Sequence, residues 1–500
     1  MLVSTEEKLI NLKRNINFIN TFELFENLMN KVENEGDIFQ IINIMTDFIV
    51  KNKIHLNSEE FNNLAISIDG FINHCNNYEF SNIKMRELYQ DIQIQFKNLH
   101  TYLINKVKTT VYLFSSDHLN LSKRILNKEY LNFEKLGTNI NDSVMGTVRN
   151  EITLLIIDKK YYDEFYNEIQ NRGFDKVIIY EDIITELYTA AINQYYRNYD
   201  YNFLNNTLKV CKEDKDINTL IVGLSYSLFG VEVDLLKEKS INLSLASQDI
   251  YYSLKIIEDV INENKSVKNC IIGTAYYSFH FDLSRGSEAY RITDVYYPLF
   301  KDTHYYQIPY EQNNDDKQNS FENFVSDEIK TIFDVNGLEK EMMDIYYSKV
   351  GLSYFNSDKS RKSGSLIGNT SLGDLSEQQK IALGTDRAIS HNKVLKYEET
   401  LKENVQIFAQ TFKFLNENGV KPIIVVFPTT SYYKENLSPK YKEIFYDKMK
   451  YLKENFEFEI IDLFDSNIFN ENDCLDLDHL DKEGAIKVTN ILNERLFKNK

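Results

Sequence analysis

Hydrophobic residues recur in two rhythms along this 500-residue chain. Up to about residue 105, Leu, Ile and Phe return every three or four positions among Glu and Asn, with no proline and few glycines, and that period predicts helices. From Thr109 to about Tyr188 the rhythm shortens into the β-rich runs TVYLF, ITLLIID and KVIIYEDI, separated by helical stretches such as Lys160 to Arg172. Beyond residue 191, short apolar runs alternate with amphipathic ones. Strands are expected in NTLIVG from Asn218, at Val267 to Ile272, in KPIIVVFP and in FEIIDLF, with helices from Ser225 through Lys237, from Val394 to Asn418 and from Asp481 to Asn493. Strands that alternate with helices predict a parallel sheet. The expected architecture is α/β in three parts: a helical domain at 1–105, a small α/β domain at 106–190, and a larger α/β domain at 191–500 interrupted by an insertion at 284–390.

The insertion holds two polar tracts, EQNNDDKQNS at Glu311 and NSDKSRKSGSLIGNTSLGD at Asn356, both poor in core-forming residues. Pro298 and Pro309 lie in it with the aromatics Tyr296, Tyr297, Phe300, Tyr305 and Tyr306. A long loop over the carboxyl edge of a sheet serves as a lid or specificity element, so this segment is expected to cover the site.

Candidate chemistry is concentrated at two places. The stretch Leu475 to Glu483, LDLDHLDKE, sets Asp476 three residues before His479 and then starts a helix. An aspartate at that distance can hold one imidazole nitrogen while the other takes a proton from a hydroxyl. Read alone, the pair is more simply two solvated residues capping a helix from Asp481 to Asn493. Far upstream, Gly223-Leu224-Ser225 closes an apolar strand run just before a helix, where open α/β sheets bind ligands and backbone N–H groups face a developing oxyanion. Ser225 is the candidate nucleophile there, and Ser227, two residues on, is its nearest rival.

Taken in chain order, four such places make residues 215–500 resemble the SGNH or GDSL-like hydrolases, in the divergent branch of cell-envelope and glycan acyl-transfer proteins. Gly223-Leu224-Ser225 is similar to the nucleophile block, and INLSLASQDIYY from Ile241 to the second strand and loop, with Ser247 where the family has an oxyanion glycine. Gly273-Thr274-Ala275-Tyr276 stands where the family has GxND, so the oxyanion asparagine is replaced, with Tyr276, Tyr277 and Asn242 as the possible substitutes. Asp476 to His479 is similar to the closing block. The resemblance implies an O-acyl esterase or acyltransferase acting on a carbohydrate or acylated small molecule, with a possible acyl donor. Ser225, His479 and Asp476 would be catalytic, Ser225, Ser247 and Tyr276 would be oxyanion donors, and Tyr296 or Tyr305 would stack on a sugar. Its alternative is a non-catalytic glycan-binding or assembly module.

Charge and cysteine usage narrow the partners. With 75 acidic against 57 basic residues, a formal net charge of −18 and no Lys/Arg stripe, nucleic acid is not an expected partner. Cys75, Cys211, Cys270 and Cys474 form no CxxC pair, so neither a zinc ribbon nor a disulfide framework is expected. His55, His74 and His100 have no metal-ligand spacing, His280, Asp282, His304 and His391 could converge on a metal only through folding that spacing does not show, and neither GxGxxG nor GxxxxGK[ST] occurs, so no metal or organic cofactor is expected. No apolar run reaches the ~20 residues of a membrane span, and the N-terminus has no basic-then-apolar secretory pattern, so a cytoplasmic protein is expected.

Overall fold

The structure, a computed structural model, describes residues 5–29, 35–52, 58–76, 82–114, 131–135, 152–308, 321–326, 329–330, 335 and 338–497. Pro309 and the polar tract at Glu311 lie outside them. The chain divides into two compact units, Met1–Ile192 with Asn319–Met343, and Asn193–Gln318 with Asp344–Lys500.

The first unit begins with four helices, Thr5–Met29, Glu35–Asn52, Glu59–Asn76 and Asn82–Lys106. The apolar stripes of the first, second and fourth meet around Phe22, which lies 4.4 Å from Phe96 and 5.6 Å from Phe48, ring to ring. A parallel sheet follows, built from β1 (Thr109–Phe114), β2 (Leu131–Lys135), β3 (Ile152–Ile157) and β4 (Lys176–Ile179) in the order β2-β1-β3-β4. β1 and β3 are central, which explains their unbroken apolar runs. β2, LNFEK, has no such run and is not visible in the hydrophobic pattern. The run KVIIYEDI divides at Ile179, and Tyr180 opens the helix Tyr180–Arg197. The helix expected from Lys160 to Arg172 is two, Lys159–Glu164 and Tyr166–Arg172, meeting at Phe165.

The second unit is built on five parallel strands: β5 (Thr219–Gly223), β6 (Ser240–Asn242), β7 (Asn269–Thr274), β8 (Lys421–Val426) and β9 (Glu459–Asp462). Their order is β6-β5-β7-β8-β9, a doubly wound arrangement in which the chain runs first to one side of β5 and then to the other. Connections diverge at the carboxyl ends of β5 and β7, and such a switch point opens a crevice there. The helices Tyr199–Glu213, Ile250–Glu263 and Glu398–Glu417 pack side by side, and Lys482–Leu496 packs on the short helix Ser225–Gly230. That short helix stops well before Lys237, because the Arg361 guanidinium donates to the carbonyl of Phe229 at 2.6 Å and the chain turns away. The helix expected from Val394 starts at Glu398, after a 3₁₀ turn at Lys393–Lys396. Among the described residues no helix is long and apolar enough to cross a membrane.

At the carboxyl edge, β5 and β7 approach more closely than side chains allow. Gly223 has φ of +128°, and a Cβ there would lie 2.2 Å from the carbonyl oxygen of Gly273. A Cβ on Gly273 would in turn lie 2.4 Å from Cβ of Ser227. Ser227 is fully buried, and its hydroxyl donates to the Leu224 carbonyl at 2.8 Å. The strand, the turn and the first helical residues are thereby locked together, with the Ser227 side chain as the one spacer. Gly273→Ala should therefore destabilise this unit by about 1–3 kcal/mol, the usual cost of overpacking. The midpoint of its urea transition reads this directly, and an unchanged midpoint would mean that the contact is slack.

Candidate functional site

Two loops at the carboxyl edge of the second unit's sheet build the site. Leu224 leaves β5 in extended conformation and Ser225 begins the helix, so the serine hydroxyl stands at a strand-to-helix corner. Ser225 is half-buried, whereas its neighbours Leu224, Tyr226 and Ser227 are buried. The second loop follows β9. Thr430, in the loop after β8, ties it down by donating its amide and hydroxyl to the Leu477 carbonyl at 3.2 and 2.6 Å. The amide of Leu475 donates to the carbonyl of His479 at 2.9 Å and closes the turn. Asp476 Oδ1 accepts the amides of Asp478 at 3.1 Å and His479 at 2.9 Å, a local Asx arrangement that explains why an Asp–x–x–His spacing works. Asp481 then caps Lys482–Leu496, accepting from Gly484 N at 2.8 Å.

These loops bring three residues into one line. His479 Nε2 is 2.8 Å from Ser225 Oγ, and His479 Nδ1 is 3.1 Å from both carboxylate oxygens of Asp476. Asp476 Oδ2 also accepts from the amide of Leu366 at 2.9 Å. That donor belongs to the insertion, whose described tract from Asn356 lies against the aspartate. Phe355 packs on Phe229 at 4.7 Å, and Phe229 on the His479 ring at 4.8 Å, so an apolar wall shields the imidazole.

A second carboxylate, which the sequence pattern did not single out, stands behind the first. Asp478 Oδ1 is 3.6 Å from His479 Nδ1, while Oδ2 accepts from the Tyr226 hydroxyl at 2.9 Å and from Arg387 Nε at 3.0 Å. Burial opposes ionisation of Asp478, yet the Arg387 guanidinium and His479 hold its carboxyl well below the usual range. Burial likewise opposes ionisation of Asp476, and His479 with the hydrogen bonds it receives brings it below its ordinary value. For His479 burial pushes the imidazole down, but Asp476 and Asp478 together outweigh burial and Arg387, so its pKa is raised. Arg387 sits mid-helix in Glu377–Asn392 with no local signal, so only the tertiary fold reveals it.

The remaining expected site residues fall elsewhere. Ser247 is half-buried with φ of +57° in the loop after β6. Next to it, the buried Gln248 amide, oriented with its oxygen toward the Gly223 amide at 3.0 Å and its nitrogen toward the Leu243 carbonyl at 3.1 Å, pins that loop to the end of β5. Tyr276 is not free to act as an oxyanion donor through its side chain: its hydroxyl donates to Asp462 on β9 at 2.6 Å, within a cluster of Phe445, Tyr446 and Phe464. Asn242 Nδ2 donates to the Ser227 carbonyl at 3.0 Å and is also committed. Tyr296 cannot stack on a ligand, because it is fully buried against Tyr252 with ring centroids 4.1 Å apart. Tyr305 is exposed beside His304. His280 packs on Tyr441, and His391 lies 2.6 Å from the Tyr433 hydroxyl, so neither joins Asp282 and His304. Cys474 is buried and its thiol is pushed up, above all by burial.

Comparison with known proteins gives a different picture from the motif resemblance. No family model matches the chain. Two proteins called DNA mismatch repair protein MutL, both from Clostridium botulinum, are similar to it. The one from strain Kyoto / Type A2 is 23% identical over 286 residues, covering 54% of this chain and 38% of the relative. The one from strain 657 / Type Ba4 is 24% identical over 273 residues, covering 52% and 36%. The chain thus spans under two fifths of the length of these curated relatives. These findings overturn the assignment to SGNH or GDSL-like hydrolases, with its carbohydrate O-acyl esterase or acyltransferase function and its glycan-binding alternative, because the relatives found carry a DNA-repair name and no such family model matches. The exclusion of nucleic acid and the expected carbohydrate substrate are corrected on the same ground.

The electrostatics of the site set its pH behaviour. A histidine whose folded pKa is raised contributes stability fully below its unfolded value of ~6.5, and that contribution is lost as pH rises through the folded pKa. For Asp476 the sign is opposite: its contribution is present above the unfolded ~3.9 and is lost as pH falls through the lowered value. In a histidine-labelled NMR titration, identified by its absence from His479→Gln, His479 should titrate above ~6.5. Asp476→Asn should bring that midpoint down. A midpoint at or below ~6.5 in the unaltered protein would show that burial and Arg387 outweigh the two carboxylates.

Proposed function

We propose that this chain is an enzyme of the nucleophilic-serine class, with Ser225 as nucleophile, His479 as general base and Asp476 as the carboxylate that orients it. The unbroken line from Ser225 Oγ through both ring nitrogens of His479 to Asp476 carries this reading. As Ser225 Oγ attacks an electrophilic carbonyl carbon, its proton passes to His479 Nε2 and the carbonyl oxygen takes up the negative charge. Collapse of the tetrahedral adduct expels the leaving group, which takes the proton back from His479 and leaves an acyl-serine for a second nucleophile to resolve. Amides of Ser225 and Ser247 are the donors assigned to the oxyanion, the first at a helix start and the second in a loop held to β5 by Gln248. The strand order, flavodoxin-like when counted from β5, supports a site at this edge.

Asp478 and Arg387 are positioning residues in this scheme. They pair beneath the imidazole, so that the second carboxylate adds to the field on His479 while its own charge is largely answered by the guanidinium. Removing a serine or histidine of such a unit costs on the order of 10⁶-fold in turnover, and removing the aspartate about 10⁴-fold.

The similarity to DNA mismatch repair proteins supports a second reading, in which this chain has a part in handling DNA. Fluorescence anisotropy with a mismatch-containing duplex tests it. Under that reading saturable binding weakens steeply with salt, and no binding at low salt removes it.

For the serine chemistry, a serine-directed fluorophosphonate should label the wild-type protein once, on Ser225. Ser225→Ala should abolish the label, and Ser227→Ala should retain most of it, because the Ser227 hydroxyl is spent on the Leu224 carbonyl and Ser244. A label that survives in Ser225→Ala would refute the assignment of the nucleophile.

A further inference from the structure

The loop that carries Ser247 runs directly into a second buried polar cluster, which the serine chemistry does not use. Asp249 caps Ile250–Glu263, with Oδ1 accepting from Tyr252 N at 3.0 Å and Oδ2 from Leu283 N at 2.9 Å. Asp282, in the turn after β7, accepts from Ser284 N and Ser284 Oγ at 2.8 and 2.7 Å, and its other oxygen lies 3.3 Å from Arg285 Nε. His304 stacks on Tyr251 with ring centroids 3.8 Å apart, and its Nε2 lies 3.3 Å from Glu403 Oε1. One ligand atom from each of Asp249, Asp282 and His304 lies within 4.8 Å of the other two. The three are 3%, 5% and 7% exposed, which takes the cluster out of reach of bulk water.

His304 Nδ1 shows what the cluster lacks. It is buried without a hydrogen-bond partner, and the nearest carboxylate oxygen, Asp282 Oδ1, is 3.8 Å away, too far for a hydrogen bond. An unsatisfied buried nitrogen is costly to leave without a partner. A gap of this size between an imidazole nitrogen and a carboxylate oxygen suits two ligands of one cation, which stand ~2.0–2.2 Å from the ion and farther from each other. Glu403 on Nε2 completes the carboxylate–histidine arrangement that fixes the tautomer of a ligating ring.

We propose that Asp249, Asp282 and His304 form a binding site for one divalent transition-metal cation, with Glu403 orienting the histidine. Two carboxylates and an imidazole suit Zn²⁺ or Mn²⁺. A cavity of about 400 Å³ lined by Tyr251, Asp302, His304 and Glu403 lies on the Glu403 side of the histidine. A bound ion would fasten the loop after β6 to the turn after β7, and so brace the Ser247 backbone. The site stands on its own residues and does not depend on the serine chemistry.

The test uses the full chain, stripped with EDTA, desalted, and titrated with Zn²⁺ or Mn²⁺ by calorimetry, with metal content measured after gel filtration. One retained equivalent and a raised thermal midpoint are expected in the wild type. His304→Ala and Asp282→Asn should lose the equivalent, Glu403→Gln should bind about 10–100-fold more weakly, and His479→Ala should bind as the wild type does. Absence of any retained ion in the wild type, with no shift of its midpoint, would overturn the proposal. Retention in His304→Ala, or loss in His479→Ala, would overturn it too, by placing the ion elsewhere.

Discussion

The carboxyl edge of the second unit's sheet depends on a backbone contact with no side chain in it. Gly223 meets the backbone of Gly273 across β5 and β7 so closely that it has no room for a Cβ, and a Cβ on Gly273 would strike the side chain of Ser227. This contact sets the direction in which the chain leaves β5, and hence where Ser225 stands. A side chain at either glycine would separate the strand ends, tilt the short helix and carry the serine hydroxyl away from His479. Packing thus acts on chemistry through a few tenths of an ångström, since a hydrogen bond at 2.8 Å has little slack.

Electrostatics supply the second half of the arrangement. A single buried aspartate beside a buried histidine is a pair whose desolvation cost offsets much of its attraction. Here the pair is embedded: Asp476 receives backbone amides from its own turn and from Leu366 in the insertion, and Asp478 stands behind it, balanced by Arg387. Removing the insertion's contact would leave Asp476 short of a donor as well as open to water. The insertion therefore belongs to the site as a wall on the aspartate side, whereas Tyr296 is spent on packing.

Much of the sheet is legible in the chain because β5, β7 and β8 are central strands, buried on both faces and so written as unbroken apolar runs. Asp476 and His479 are legible for a local reason, the Asx turn that makes their spacing useful, and Ser225 because it follows a strand and opens a helix. The 2.8 Å between Ser225 and His479 spans 254 positions and is a property of neither stretch. Asp478 was hidden beside a more conspicuous neighbour, and Arg387, Leu366 and Gln248 act only through tertiary contacts. Tyr276 misleads for the same reason: its place in the chain is next to the site, but its hydroxyl is drawn to Asp462. Four short motifs at strand ends reflect what a doubly wound sheet imposes on any site at its carboxyl edge, so they carry architecture and leave family and substrate undetermined.

Whether Ser225 and His479 act as one unit on an acyl group is read by trapping the covalent species. The full chain is mixed with an activated aryl ester, quenched in acid at short times, and analysed by intact mass and peptide mapping. One acyl group is expected, on the peptide that holds Ser225 and at that residue, forming far more slowly in His479→Ala. Acylation of another residue, or equal rates of acylation with and without the His479 imidazole, would contradict it.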